Sequence, residues 1–276
     1  MTRGPHWAIL RWLADRFVLM PSRHPVEISD EKTQRLIEGP LGRLDVWEHV
    51  IPSTDVSSRS APLLVLKFPG TGGRAERSSI HPMDAWPDRH GRVWTVNPPG
   101  YGGSEGRASL QHIVPTARTV AEAAIAAHPD HRWILCGNSL GNLSVCYLAA
   151  HFPDRVAAAL LRNPPPLREV IKGRFPWWRT MFLAHGVAAA VPADLSTHEN
   201  ANHSRAPALF VTSEHDRLVR PAAQAMILKN WQGPKDQFII AGADHPDPIP
   251  ESQMPEYQRK LDWLLRAADA HPTTAR

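Results

Sequence analysis

Residues 133–147 read Trp-Ile-Leu-Cys-Gly-Asn-Ser-Leu-Gly-Asn-Leu-Ser-Val-Cys-Tyr. A short apolar run leads into a Gly-x-Ser-x-Gly turn at 137–141 and then into small residues at helical spacing. The pattern predicts a strand that passes into a helix through a very sharp turn. In that context the central serine is held in a strained backbone conformation, with its hydroxyl standing above the sheet edge. The flanking glycines leave room for neighbouring strand and helix backbones. Ser139 is therefore the candidate nucleophile, with the Leu140 N–H and the helix N-terminus behind it. A Gly-Ser turn without chemistry would share the five letters, and the strand before and helix after separate the two readings.

The remainder of the 276 residues is long enough for one large α/β domain, or two small ones, with a full core. Hydrophobic residues make up 42% and charged residues 21%, an ordinary globular balance. The net charge is +4, but Lys and Arg are scattered and form no run that would track a phosphate backbone, so nucleic-acid binding is not expected. The two cysteines, Cys136 and Cys146, flank the turn on a strand and the following helix. They are expected as buried reduced thiols, which suits a cytoplasmic setting. Residues 7–20 are apolar at helical spacing, but Arg11, Asp15 and Arg16 interrupt the run, which is too short and too charged to span a bilayer. Two readings stand for it: a helix packed on the domain, or one resting peripherally on a membrane.

From residue 41 onward, β-rich runs alternate with helical patterns, as in a mostly parallel sheet covered by helices. Strands are expected at 41–51, 63–68, 93–96, 132–136, 156–161, 208–212 and 237–240, and helices at 110–128, 139–151, 221–231 and 254–268. Residues 1–40 read as a helical or extended N-terminal segment and 41–276 as the domain. Within the domain, 163–205 loses periodicity and reads as a short insertion above the sheet. It contains His198-Glu199-Asn200-Ala201-Asn202-His203, one residue too long for H-E-x-x-H. The histidines would diverge on a helix, so the segment is read as a polar loop and no metal is expected. The glycines at 100 and 102 fail G-x-G-x-x-G, and 70–74 lacks the Lys-Ser/Thr of a Walker loop, so nucleotide binding is not expected either.

A serine hydroxyl needs a histidine to take its proton, and the histidine needs a carboxylate to fix its tautomer. In α/β sheets both should follow later strands at their C-terminal ends. The run at 208–212 is followed by Ser213-Glu214-His215-Asp216, and the run at 237–240 by Ala241-Gly242-Ala243-Asp244-His245. Asp216 and His245 are the leading candidates. Glu214 stands as a rival acid, Asp244 adjoins the histidine, and His215 is a weaker alternative base.

The order Ser139, Asp216, His245, together with the turn at 137–141, resembles the α/β-hydrolase superfamily over residues 41–268. The resemblance implies an α/β-hydrolase fold with a mostly parallel eight-stranded sheet flanked by helices, and a short insertion after strand 6. It also implies an oxyanion hole from the backbone N–H groups of Thr71 and Leu140, although Phe68-Pro69-Gly70-Thr71 has proline where the family usually has histidine. Asn97-Pro-Pro-Gly-Tyr-Gly-Gly-Ser-Glu-Gly106 resembles the family's turn after the fourth strand. The short Pro- and Trp-containing insertion resembles the nearly capless hydrolases related to serine aminopeptidases and prolyl oligopeptidases. The implied activity is hydrolysis of a small-molecule carboxylic ester or thioester without a cofactor. The same residues leave acyl transfer, peptide cleavage and a catalytically silent binding protein open. Trp177, Trp178 and Phe182 either line an acyl pocket or pack the insertion onto the sheet.

Overall fold

The computed structural model describes residues 5–28, 32–53, 61–174 and 178–273. An N-terminal helix, α1 (Pro5–Val18), precedes the strands β1 (Thr33–Ile37), β2 (Leu44–Ile51), β3 (Leu63–Phe68) and β4 (Gly91–Asn97). Then follow α2 (Ile113–Ala127), β5 (Arg132–Asn138), α3 (Asn142–His151) and β6 (Val156–Arg162). The insertion carries α4 (Leu167–Gly173), α5 (Trp178–Ala190) and α6 (Thr197–Ala201). The chain closes with β7 (Ala208–Ser213), α7 (Pro221–Asn230), β8 (Lys235–Ile240) and α8 (Met254–Ala270).

The eight strands form one sheet in the order β1-β2-β4-β3-β5-β6-β7-β8. β2 runs antiparallel to β1 and β4, and every other pair is parallel. The middle strands are buried on both faces, which is why β3, β5, β6 and β7 read as continuous apolar runs. One face packs Leu64, Leu66, Trp133 and Leu135 against α2, α3 and the insertion. The other packs Val65, Ile134 and Phe238 against Tyr257, Leu261 and Leu264 of α8. The crossover from β3 to β4 carries only single 3₁₀ turns, at Ala75–Arg77 and Met83–Ala85, so α8 covers that face with little help.

Seven strands were visible in the sequence as apolar or alternating runs, and the eighth is the edge strand β1. Its sequence, Thr-Gln-Arg-Leu-Ile, buries only Ile37, so it carries no alternation to read. The segment read as a polar loop at 198–203 is in part helical: α6 starts after Ser196, whose side chain accepts the Glu199 N–H. α1 packs on the domain through Ala14, and Leu10 abuts Gly186 of α5. Ile9, Trp12, Phe17 and Met20 remain exposed. Among the described residues no helix is long and apolar enough to cross a membrane. Cys136 and Cys146 are both buried and unpaired, and burial pushes the Cys136 thiol up to about 12.

Candidate active site

Ser139 sits between β5 and α3 with φ +48°, a conformation that costs a non-glycine residue roughly 1–3 kcal/mol. Close packing around the turn holds it there. A Cβ on Gly141 would fall 1.9 Å from the Phe68 carbonyl oxygen, and one on Gly137 would fall 2.3 Å from Asn142 Oδ1. Asn142 Nδ2 donates to the carbonyl oxygens of Ser139 (3.0 Å) and Arg162 (2.8 Å), tying the turn to β6.

The loops after β7 and β8 bring two further side chains to this serine. His245 Nε2 lies 2.9 Å from Ser139 Oγ, and His245 Nδ1 lies 2.7 Å from Asp216 Oδ2. The Asp216 carboxylate is fully buried and its other oxygen is occupied. Oδ1 accepts the Leu218 and Val219 N–H groups at 2.9 and 2.7 Å, while Gln224 Nε2 donates to Oδ2 at 3.0 Å. Saturated in this way, the carboxylate has one direction left to face, that of the imidazole.

The rival acids are placed elsewhere. Glu214 accepts the Gly242 N–H at 2.7 Å and braces the turn after β8. Asp244 accepts the backbone N–H groups of Arg217 and His245 and pairs with the Arg217 guanidinium. Those two amides, with the guanidinium, hold the Asp244 carboxyl down at about 2. The His215 ring is largely in solvent.

The turn after β3 packs against the serine turn, so that a Cβ on Gly70 would lie 3.5 Å from Ser139 Cβ. Thr71 is anchored from two sides. Its hydroxyl donates to the Val18 carbonyl, and its own carbonyl accepts the Tyr101 hydroxyl at 2.9 Å. Tyr101 in turn accepts the Met20 N–H at 3.1 Å. Leu140 lies in the first helical turn after the serine, where leading N–H groups have no carbonyl one turn behind them.

Ser139, Leu140 and Thr71 share a pocket of about 180 Å³. Its apolar wall comes from Phe17 and Met20 at the end of α1, Leu167, Val170 and Ile171 of α4, and Leu218. Of the aromatic residues expected there, Phe182 is 81% exposed on α5 and is not part of the lining. Trp177 and the Trp178 side chain lie outside the described residues. The wall is built from short-helix residues far apart in sequence, which no local pattern could connect.

Three other residues went unnoticed in the sequence. Gln224 binds the acid. Tyr101 binds the 68–71 turn. Asn163, at φ +48°, donates to Ser213 Oγ and to the His245 carbonyl, and accepts the Ser213 N–H. A positive φ favours asparagine among non-glycine residues, and Asn163 standing at the end of an apolar run was the one signal available. Among the described residues no group of three or more His, Cys, Asp or Glu is placed to hold a metal ion.

Residues 65–198 match the family model described as alpha/beta hydrolase fold. Two uncharacterized proteins from two strains of Mycobacterium tuberculosis are each 30% identical over 155 residues, 54% of this chain and 51% of theirs, so the match spans about half the length of these curated relatives. An α/β hydrolase from Vibrio vulnificus superposes with a TM-score of 0.68 at 18% identity, covering 97% of this chain and 95% of its own. The Pyrococcus furiosus esterase Pf2001 gives 0.66 at 14%, covering 90% and 97%. A lidless α/β serine hydrolase from Xanthomonas campestris gives 0.56 at 19%, covering 88% and 97%. The chain has the alpha/beta hydrolase fold.

Proposed function

We propose that the protein is a serine hydrolase that cleaves a carboxylic ester or thioester through an acyl-enzyme. The observation that carries the reading is the relay from a buried, fully hydrogen-bonded Asp216 through His245 to a strained Ser139. Ser139 Oγ attacks the carbonyl carbon as its proton moves to His245 Nε2. Asp216 stays ionised, holding the Nδ1–H tautomer and stabilising the imidazolium. The oxygen that gains charge sits between the Thr71 and Leu140 N–H groups; preorganised donors of this kind lower such barriers by about 3–4 kcal/mol each. His245 returns the proton to the leaving alcohol or thiol, then takes one from the water that releases the acid and restores Ser139.

The apolar pocket beside Ser139 suits the acyl group. A cavity of about 150 Å³ is enough for a six-carbon ring, so about 180 Å³ suits a short to medium acyl chain. The exposed Ile9, Trp12 and Met20, close to exposed Arg11 and Arg16, support a peripheral contact of α1 with an anionic lipid surface at the mouth of that pocket. The same relay serves acyl transfer and peptide cleavage. A silent binding protein has no use for an acid this fully coordinated. The test is hydrolysis of p-nitrophenyl butyrate. We expect a burst of nitrophenol equal to the enzyme present and a kcat at least about 10³-fold lower in Ser139→Ala. A Ser139→Ala variant with full activity would contradict the reading.

A further inference from the structure

Behind the serine turn, on the α8 side of the sheet, lies a second and larger cavity of about 650 Å³. Its floor is the last row of side chains on that face: Lys67 of β3, Cys136 and Asn138 of β5, and Leu160 and Arg162 of β6. Register places Lys67 beside Cys136 and Asn138 beside Arg162, so the two cations flank β5. The cavity exists because the thin β3–β4 crossover leaves α8 to cover this end of the sheet, with Met254 and Tyr257 on the far wall.

Its charge is one-sided. Lys67, Arg74, Arg77 and Arg162 line it, and among the described residues no Asp or Glu does. Arg74 pairs with Glu76 and His81 with Asp84, whereas Lys67, Arg77 and Arg162 have no salt bridge among the described residues. Lys67 Nζ donates to the Ser79 carbonyl at 2.7 Å, one of the three bonds it can give. Arg162 donates to the Asp247 carbonyl, yet its Nε is buried without a partner. Burial lowers the pKa of both Lys67 and Arg162, outweighing the nearby carboxylates of Asp84 and Asp247, which act in the opposite sense.

The cavity adjoins the chemistry. Asn138 and Gly70 form part of its lining, and they immediately precede Ser139 and Thr71. We propose that it is an anion subsite which receives a phosphate- or carboxylate-bearing leaving group while the acyl chain occupies the apolar pocket on the other side of Ser139. The assignment rests on the ester or thioester reading. It narrows the substrate to an acyl group joined to an anionic alcohol or thiol, held by Lys67, Arg162 and Arg77 through charge-assisted hydrogen bonds.

Calorimetric titration of the whole protein with inorganic pyrophosphate and, separately, succinate tests the subsite, and the tighter of the two says which anion it is built for. We expect saturable binding of at least one, weakened about tenfold by Lys67→Gln or Arg162→Gln and about threefold by Arg77→Gln, an exposed change at the rim that leaves the fold intact. Binding should persist in Ser139→Ala. Absence of saturable binding up to about 10 mM, or binding indifferent to all three substitutions, would overturn the proposal. The second arm compares butyrate esters of 3-hydroxybenzoate and 3-hydroxybenzamide. The charged ester should be favoured about tenfold in kcat/KM, and the ratio should approach one in Lys67→Gln. Equal rates in the native enzyme would overturn the substrate assignment. Failure of the subsite leaves covalent labelling of Ser139 by a fluorophosphonate intact, whereas failure of the hydrolase reading abolishes that labelling and leaves anion binding unchanged.

Discussion

At the scale of single residues, the two carboxylates after β7 separate cleanly. Asp216 has both oxygens engaged around the His245 contact, whereas Glu214 accepts an N–H from the β8 turn. Asp216→Asn should lower kcat on an activated ester by roughly 10³–10⁴-fold, through loss of the tautomer and of the charge that stabilises imidazolium. Glu214→Gln should cost less than about tenfold. Steady-state kinetics on p-nitrophenyl butyrate decides between them, and the reverse ranking would move the acid by two positions. The sequence favoured Asp216 but left Glu214 as a rival, because both acids follow the same strand and differ only in the path of the loop. It did narrow the candidates, since a Gly-x-Ser-x-Gly turn and two strand-end loops leave few residues able to meet above one sheet edge. Gln224 was illegible for a related reason: it reaches Asp216 from the first turns of α7, and nothing in its neighbours marks that contact.

At the scale of elements, the parallel core was legible because strands covered on both faces must be continuously apolar. The two parts that shape the acyl pocket were not. α1 and α4 supply its wall, and each contributes through tertiary packing that leaves no local signature. The pocket sets a chain-length expectation: each added methylene buried against Phe17, Val170 and Ile171 contributes up to about 0.8 kcal/mol, close to fourfold in kcat/KM. The profile of p-nitrophenyl esters should therefore rise from acetate to about hexanoate and then level off. Val170→Trp should fill the pocket and return the preference to acetate. A profile that is flat in the native enzyme would remove the acyl role from this pocket. The exposed side of α1 carries its own expectation. Co-sedimentation with vesicles containing anionic lipid should fall at least about fivefold in Ile9→Glu/Trp12→Glu. Equal sedimentation of the variant would leave α1 a packing helix alone.

At the scale of the whole molecule, buried carboxylates couple the antiparallel edge of the sheet to the rest. Glu48 accepts Trp94 Nε1, Arg92 and Arg35, and Glu76 accepts Arg74 and Asn97. Burial alone would raise both pKa values, but these hydrogen bonds outweigh it and hold both below the usual carboxylate range. A depressed folded pKa contributes stability that is complete above the unfolded value, about 4.3, and is lost as pH falls through the folded one. The Tm should therefore be steady from neutrality to about pH 5 and fall below that. Glu76→Gln leaves the buried Arg74 charge without its carboxylate, so it should lower the Tm at pH 7 by at least about 5 °C and flatten the acid slope. Scanning fluorimetry across this range is sufficient, and an unchanged slope in Glu76→Gln would place the acid sensitivity elsewhere. Every step of the proposed reaction requires Ser139 to be the activated nucleophile. A fluorophosphonate probe on the native protein, followed by peptide mass spectrometry, tests it most directly. One covalent adduct per chain is expected, on Ser139 and abolished in Ser139→Ala; an adduct on another serine, or none on folded protein, would rule Ser139 out as the nucleophile.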